Sequence, residues 1–82
     1  MMKTSDVWFV YLLECSDNTL YCGATNNLTR RITQHNEGKG AKYTKGRSPV
    51  VLIKFWTFPT KGEALSFEYK VKQLSRDEKL KL

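Results

Sequence analysis

Residues 7–15 read Val-Trp-Phe-Val-Tyr-Leu-Leu-Glu-Cys, and the rest of the predicted fold is arranged around them. Aromatic and branched side chains dominate this stretch, and apolar residues occupy odd and even positions alike until Glu14. A strand with one face in solvent alternates apolar and polar residues, whereas a strand covered on both faces does not need to. The stretch therefore predicts a central β-strand.

Turn residues follow immediately as Ser16-Asp17-Asn18, and residues 19–24 can return as a second strand. Two hairpin registers are compatible with this sequence. A two-residue turn would place Tyr11 and Tyr21 on opposite faces, because a shift of one residue exchanges the faces of a strand. A three-residue loop would pair Tyr11 with Gly23 and place both tyrosines on one face. We favour the three-residue loop because its last residue is asparagine, which tolerates a positive φ.

A helix is predicted to follow the second strand. Leu28 and Ile32 supply its apolar stripe, Asn26 or Asn27 can cap its N-terminus, and Gly38 can end it. Within this helix Arg31 and His35 are four residues apart and share a face. A cation suited to phosphate and a side chain able to exchange protons near neutral pH therefore point the same way.

The remaining sequence predicts a third strand and two helices. Residues 50–57 follow Pro49 and have strong β composition. Thr60-Lys61-Gly62-Glu63 and Ser75-Arg76-Asp77-Glu78 each match the capping box that begins a helix, and the first of these helices should extend to about Leu74. The order ββαβαα predicts an α+β fold, in which a small three-stranded, mostly antiparallel sheet is flanked by helices within one domain, residues 1–82.

Composition narrows the choice of partner and compartment. The chain has 14 Lys and Arg against 8 Asp and Glu, and a net charge of +6 favours a polyanion, with nucleic acid as the first candidate. No apolar run approaches the ~20 residues needed to span a bilayer, so we expect no membrane partner. Cys15 and Cys22 lack a Cys-x-x-Cys spacing and no signal peptide is evident, which predicts a reduced, cytoplasmic protein.

Positive charge is concentrated in residues 30–47, which contain six Lys and Arg against Glu37 alone. Part of this segment, residues 39–47, reads Lys-Gly-Ala-Lys-Tyr-Thr-Lys-Gly-Arg and suits contact with a phosphate backbone, with an aromatic ring available to stack on a base. A solvated basic loop would have the same composition. The candidate nucleic-acid contacts are Arg30, Lys39, Lys42, Tyr43, Lys45 and Arg47.

Glu68 is the most unusual residue of the second helix. Ala64, Phe67 and Val71 follow helical spacing and should face the sheet, and Glu68 falls on or beside this apolar stripe. A carboxylate in such a place needs a cation, a metal or a proton. Two interpretations remain open, namely a ligand for Mg²⁺ or Mn²⁺ and a salt bridge to Arg31 or to a nearby lysine.

Several of these residues together resemble the GIY-YIG nuclease superfamily, and most closely its small single-domain YhbQ-like group. The resemblance extends from about Trp8 to Leu74. The matching residues are Phe9-Val10-Tyr11, Tyr21-Cys22-Gly23, Arg31, His35 and Glu68. The family implies divalent-metal-dependent hydrolysis of phosphodiesters, of the endonuclease kind found in structure-selective DNA repair and recombination, with Mg²⁺ or Mn²⁺ as the cofactor.

The resemblance also implies a role for each matching residue. Tyr11 would activate or position the attacking water with the help of His35, and Tyr21 would hydrogen-bond this water or the phosphate. Arg31 would neutralise charge on the phosphate, and Glu68 would hold the metal.

The sequence also departs from the family pattern. No asparagine follows Glu68, although several branches of the family carry one there. The alternative is a non-catalytic nucleic-acid-binding module that retains the nuclease scaffold and relies on a protein partner for targeting.

Overall fold

The computed structural model describes residues 7–82, which form one antiparallel sheet with helices on both faces. The strands are β1 (Trp8–Glu14), β2 (Leu20–Thr25) and β3 (Val51–Phe58), in the order β2-β1-β3. The helices are α1 (Leu28–Asn36), α2 (Lys61–Lys72) and α3 (Arg76–Leu80), and a short 3₁₀ turn covers Lys42–Thr44. The predicted α+β class and the order ββαβαα are confirmed, with strand and helix limits displaced by one or two residues.

β1 is the central strand and is buried on both faces, as its unbroken apolar sequence predicts. Its even-numbered residues Val10 and Leu12 pack with Ala64 and Val71 of α2. Its odd-numbered residues Tyr11 and Leu13 belong to a second cluster, against which Leu28 and Ile32 of α1 pack. The second cluster contains Tyr11, Leu13, Cys15 and Val50. β1 therefore joins two small cores.

The hairpin between β1 and β2 has the register that we favoured. Asn18 adopts φ 67°, Leu13 lies opposite Tyr21, and Tyr11 lies opposite Gly23. Both tyrosines therefore lie on the α1 face of the sheet, and their ring centroids are 6.4 Å apart. The loop chemistry of one asparagine places the two aromatic residues of the candidate site together.

α1 begins and ends at the predicted residues. The side chain of Asn27 accepts a hydrogen bond from the Arg30 amide at 3.1 Å. At the other end Gly38 adopts φ 76°, its amide donates to the His35 carbonyl, and the Lys39 amide donates to the Gln34 carbonyl. This arrangement is a Schellman motif, which satisfies the last carbonyls of a helix.

α2 and α3 also begin at their predicted caps, but only one of the two capping boxes is complete. Ser75 and Glu78 bond each other's backbone amides. Thr60 accepts from the Glu63 amide, but the Glu63 carboxylate accepts from the Thr60 hydroxyl at 3.0 Å rather than from its amide. The predicted box at Thr60 is therefore wrong in one of its two bonds. Among the helices of residues 7–82, none combines the length and the apolar composition that a membrane span requires.

Candidate active site

A buried chain of hydrogen bonds links β1 to α1 and the segment after it. The Tyr11 hydroxyl lies 2.9 Å from Nε2 of His35, and Nδ1 of His35 lies 2.7 Å from the Thr44 hydroxyl. The Thr44 hydroxyl in turn donates to the Ala41 carbonyl at 2.9 Å. His35 and Thr44 are fully buried, and Tyr11 is 1% exposed. This Tyr–His–Thr chain holds all three side chains in fixed positions.

The same bonds define which nitrogen of His35 carries the proton. Thr44 has one hydroxyl proton, and the bond to the Ala41 carbonyl uses it. Nδ1 must therefore donate to the Thr44 oxygen, which leaves Nε2 as the acceptor for the Tyr11 proton. This tautomer satisfies all three short bonds and forgoes only a 3.4 Å contact from the Ala41 amide to Nδ1. His35 therefore presents a lone pair to Tyr11.

Two glycines allow the Tyr–His–Thr chain to form. A Cβ atom at Gly23 would lie 2.4 Å from the Tyr11 hydroxyl oxygen, and one at Gly40 would lie 2.4 Å from Nδ1 of His35. Both separations are far below van der Waals contact. Gly23 therefore gives the Tyr11 ring its space, and Gly40 does the same for His35.

Arg31 brings positive charge to Tyr11. Its side chain is partly buried, donates to the Gln34 side chain at 3.1 Å and lines a cleft of about 300 Å³ that also contains Ala24 and Asn26. Burial raises the pKa of the Tyr11 phenol, and the nearby guanidinium offsets part of this rise. Burial and, to a smaller extent, the same guanidinium lower the pKa of His35. Arg31 and His35 share a face of α1, as their spacing predicts, and the structure places both beside Tyr11.

Glu68 lies on α2 and comes near the tyrosines of the α1 face beside its partner Lys72, whose Nζ is 5.9 Å from the ring centroid of Tyr21. Burial is the main cause of the raised pKa of Tyr11 and Tyr21, and the negative charge of Glu68 adds a smaller contribution. Its side chain is only 16% exposed and is paired with Lys72, with Nζ 3.0 Å from Oε2. The ion pair that we considered for Glu68 is therefore present, with Lys72 rather than Arg31 as the partner.

The pKa values follow from burial. Desolvation raises the pKa of Tyr11 to about 12, and Arg31 offsets only part of this effect. Desolvation, followed by the charge of Arg31, lowers the pKa of His35 below its ordinary value of 6.5. At neutral pH Tyr11 is therefore an un-ionised phenol and His35 an uncharged imidazole. Cys22 belongs to the other core, where desolvation raises its pKa to about 11 and makes it a poor nucleophile.

Tyr21 and Tyr43 form an aromatic wall beside the Tyr–His–Thr chain. The Tyr21 ring centroid lies 5.3 Å from that of His35, and the Tyr43 ring stacks on Tyr21 at 5.8 Å. Tyr43 is 40% exposed, and the guanidinium of Arg47 lies 4.3 Å from its ring centroid. The Tyr43 ring therefore already has two partners.

The candidate nucleic-acid contacts fall into two groups. Arg47 forms a salt bridge with Asp17 at 2.9 Å and also donates to the Tyr43 carbonyl, so it stabilises its own loop. The other four cations are exposed, which leaves them accessible to a polyanion. They are Arg30, Lys39, Lys42 and Lys45.

The donors near Tyr11 suit a hard divalent cation. Carboxylate is the preferred ligand of Mg²⁺, which keeps several waters and takes further oxygens from substrate phosphates. Glu68 is one such carboxylate, and residues 7–82 contain no group of three or more His, Cys, Asp or Glu that could enclose a metal. Glu68 could therefore supply one ligand to a hard divalent cation whose other ligands are water and substrate phosphate.

Three residues of the site were not identified from the sequence. Thr44 and Gly40 lie in a loop whose positive charge predicts surface contacts with a polyanion, and its composition gives no sign of the buried contacts that these two residues make. Lys72 follows Glu68 by four residues, and this spacing is typical of a helical ion pair and could have identified it.

Comparison with known proteins gives one consistent family. The model of the GIY-YIG catalytic domain matches residues 7–81. A UPF0213 protein of Nitratidesulfovibrio vulgaris is 55% identical over 78 residues, which cover 95% of this chain and 71% of that protein. A UPF0213 protein of Clostridium perfringens is 55% identical over 74 residues, covering 90% of this chain and 80% of its own.

Solved structures agree with these matches. The solution NMR structure of the UPF0213 protein BH0048 from Bacillus halodurans has 52% identity and a TM-score of 0.57, and the match covers 89% of this chain and 78% of that one. The solution NMR structure of the protein EF2693 from E. faecalis has 38% identity and a TM-score of 0.66, covering 98% and 85%. A domain match over nearly the whole described chain, with relatives above 50% identity, shows that this protein belongs to the GIY-YIG family of nuclease domains.

Proposed function

We propose that this protein is an endonuclease that hydrolyses phosphodiester bonds in DNA with the help of Mg²⁺ or Mn²⁺ bound at Glu68. The observation that carries the proposal is the 2.9 Å contact between the Tyr11 hydroxyl and the acceptor nitrogen of His35, beside the charge of Arg31. A buried, uncharged His35 that accepts from a phenol is poised to take a proton.

Proton transfer along this contact would allow Tyr11 to act as a base despite its high pKa. A phenol with a pKa of about 12 is a poor base when it acts alone, because its phenolate is hardly populated at neutral pH. If the Tyr11 oxygen takes a proton from the attacking water while its own proton passes to Nε2 of His35, no free phenolate is needed. Thr44 maintains the tautomer of His35 that makes this transfer possible.

The remaining groups act on the phosphate. Arg31 offers a planar, permanently charged group to phosphate oxygens that gain negative charge during attack. Tyr21 lies next to Tyr11 and His35, where its hydroxyl can hydrogen-bond the phosphate or the water. A divalent ion at Glu68 would supply further positive charge for the phosphate oxygens and the leaving group.

The charge and the free thiols support the rest of the proposal. Arg30, Lys39, Lys42 and Lys45 are exposed on or after α1, where they can contact the backbone of bound DNA. Nicked, flapped and branched DNA, the substrates of repair and recombination, are the first to test. Cys15 and the other cysteine are free and buried, which suits the reducing cytoplasm.

Cleavage assays with matched variants test the function. Labelled linear, nicked, flapped and branched DNA, with an RNA strand for comparison, is incubated with and without Mn²⁺. Tyr11→Phe and Glu68→Gln should each lower the cleavage rate by about 10²–10⁴-fold. Tyr69→Phe and Glu37→Gln alter the same residue types at exposed positions and should leave it unchanged.

Two results would contradict the proposal. If Glu68→Gln cleaves as fast as the wild type, the assigned metal ligand is wrong. If the protein binds these nucleic acids in a salt-dependent way and cuts none of them with Mn²⁺ present, the protein is a binding module built on the nuclease scaffold.

A further inference from the structure

Lys72 forms an ion pair with the Glu68 carboxylate, which the proposed function assigns to the metal. Its Nζ lies 3.0 Å from Oε2 of Glu68, and the Glu68 side chain is only 16% exposed. A divalent cation that binds this carboxylate must therefore enter beside an ammonium group already in contact with it. Two cations cannot share one carboxylate at such a distance without strong repulsion.

Lys72 also has room to leave. The Lys72 side chain is 49% exposed, and its ammonium group is carried on a flexible four-carbon stem. The residue lies in the last turn of α2. Its Nζ lies 5.9 Å from the ring centroid of Tyr21, which stands beside Tyr11 and His35. Rotation of the stem can therefore move the ammonium group towards Tyr21, the residue to which the proposed function assigns a contact with the phosphate.

We propose that Lys72 is a positioning residue with two alternative partners, the Glu68 carboxylate in the metal-free protein and a phosphate of the nucleic acid once a divalent cation binds Glu68. This inference rests on the proposed function, because it assumes that Glu68 is the metal ligand. Lys72 therefore competes with the metal for Glu68 and helps to bind the substrate.

The exchange couples the two ligands. Metal binding releases Lys72 for the phosphate, and a phosphate that attracts Lys72 frees Glu68 for the metal. By linkage, each ligand then raises the affinity for the other by the same factor. The protein would thus hold its metal weakly until nucleic acid is bound.

Direct metal binding provides the first test. Binding of Mn²⁺ alone is measured by electron paramagnetic resonance of the free ion, without nucleic acid, and the Glu68→Gln variant defines the background from other carboxylates. Lys72→Met should bind Mn²⁺ about three- to tenfold more tightly than the wild type, because the competing cation is gone. Lys72→Arg keeps a competing cation and should not bind Mn²⁺ more tightly than the wild type. Lys70→Met removes an exposed charge nearby and should change the Mn²⁺ affinity by less than about twofold.

Nucleic-acid binding provides the second test, with an effect in the opposite direction. In a Tyr11→Phe background with Mn²⁺, Lys72→Met should weaken DNA binding and reduce the slope of log K against log salt by about 0.9, the value of one phosphate contact. Without metal the slope should change much less, since Glu68 then competes with the phosphate for Lys72. A lysine that only stabilises α2 would produce neither effect.

The two failures can be told apart. If the wild type binds Mn²⁺ through Glu68 and Lys72→Met binds it equally well, the inference about Lys72 is wrong and the proposed function stands. If none of the variants binds Mn²⁺ more than Glu68→Gln does, both the metal site and the role of Lys72 are wrong.

Discussion

Replacing Gly23 by alanine tests the geometry of the site most directly. The new Cβ would lie 2.4 Å from the hydroxyl oxygen and 2.5 Å from Cζ of Tyr11. Since non-bonded carbon contacts are about 3.5–4.0 Å, the ring or strand β2 must move by about 1 Å. The Tyr11 ring is 1% exposed and its hydroxyl is bonded to His35 at 2.9 Å, so such a movement strains packing and this bond together.

The expected cost follows from these two effects. Overpacking of a core costs about 1–3 kcal/mol, and a buried polar group that loses its partner costs about another 1–3 kcal/mol. We therefore expect Gly23→Ala to lower the free energy of unfolding by about 2–6 kcal/mol, measured by urea titration with circular dichroism. A displacement of 1 Å in a catalytic group should also lower cleavage by about 10²-fold.

Two controls make the result interpretable. Gly62 lies in α2 with nothing within 4 Å of an added Cβ, so Gly62→Ala should stabilise the protein by about 0.5–1 kcal/mol. In a Tyr11→Leu background the clash at Gly23 is removed, and Gly23→Ala should then cost less than about 1 kcal/mol. If Gly23→Ala alone costs less than about 0.5 kcal/mol and leaves cleavage unchanged, the Tyr11 ring does not lie across Gly23.

Three further predictions concern the Tyr–His–Thr chain and the helix caps. The pKa of His35 is lower in the folded protein than its ordinary value of 6.5, so the unfolded state takes up a proton first as the pH falls, and the folded protein loses stability below about pH 6.5. Between pH 7.5 and 5.5, urea titration should show that the free energy of unfolding falls by up to about 1.4 kcal/mol in the wild type but not in His35→Gln. A loss of equal size in His35→Gln would contradict the assignment. Gly40→Ala should displace the imidazole and slow cleavage at all pH values, as its Cβ would lie 2.4 Å from Nδ1, and unaltered kinetics would place the imidazole elsewhere. Ser75→Ala removes the cap of α3 and should lower the unfolding free energy by about 1 kcal/mol without changing the cleavage rate, whereas a marked loss of cleavage would link α3 to the site.

Local sequence patterns predicted those features of the fold that depend on only a few neighbouring residues. The unbroken apolar stretch of β1 predicts its central position, because only a strand covered on both faces can hide every side chain. Asn18 predicts the hairpin register, because it accepts the positive φ that a three-residue loop needs. Cap residues predict where the helices begin, since each cap satisfies amides within three residues of itself.

The sequence by itself also identified several of the candidate site residues. Tyr11, Tyr21, Arg31 and His35 were identified as candidates from spacing, side-chain chemistry and a family resemblance, and the chain does belong to the GIY-YIG family. Their placement around Tyr11 follows from two local facts, the hairpin register and the four-residue spacing on α1. Their catalytic roles stay predictions.

Only the tertiary structure decided how the site at Tyr11 is completed, because these contacts join parts of the chain with no local relation. Glu68 belongs to α2 on the other face of the sheet, and its partner Lys72 still has its Nζ 5.9 Å from the ring centroid of Tyr21. Thr44 and Gly40 come from a loop whose sequence resembles any basic surface segment, yet they fix the tautomer and the position of His35. Burial determines the ionisation state of Tyr11 and His35, and burial is a property of the packed molecule rather than of any stretch of sequence.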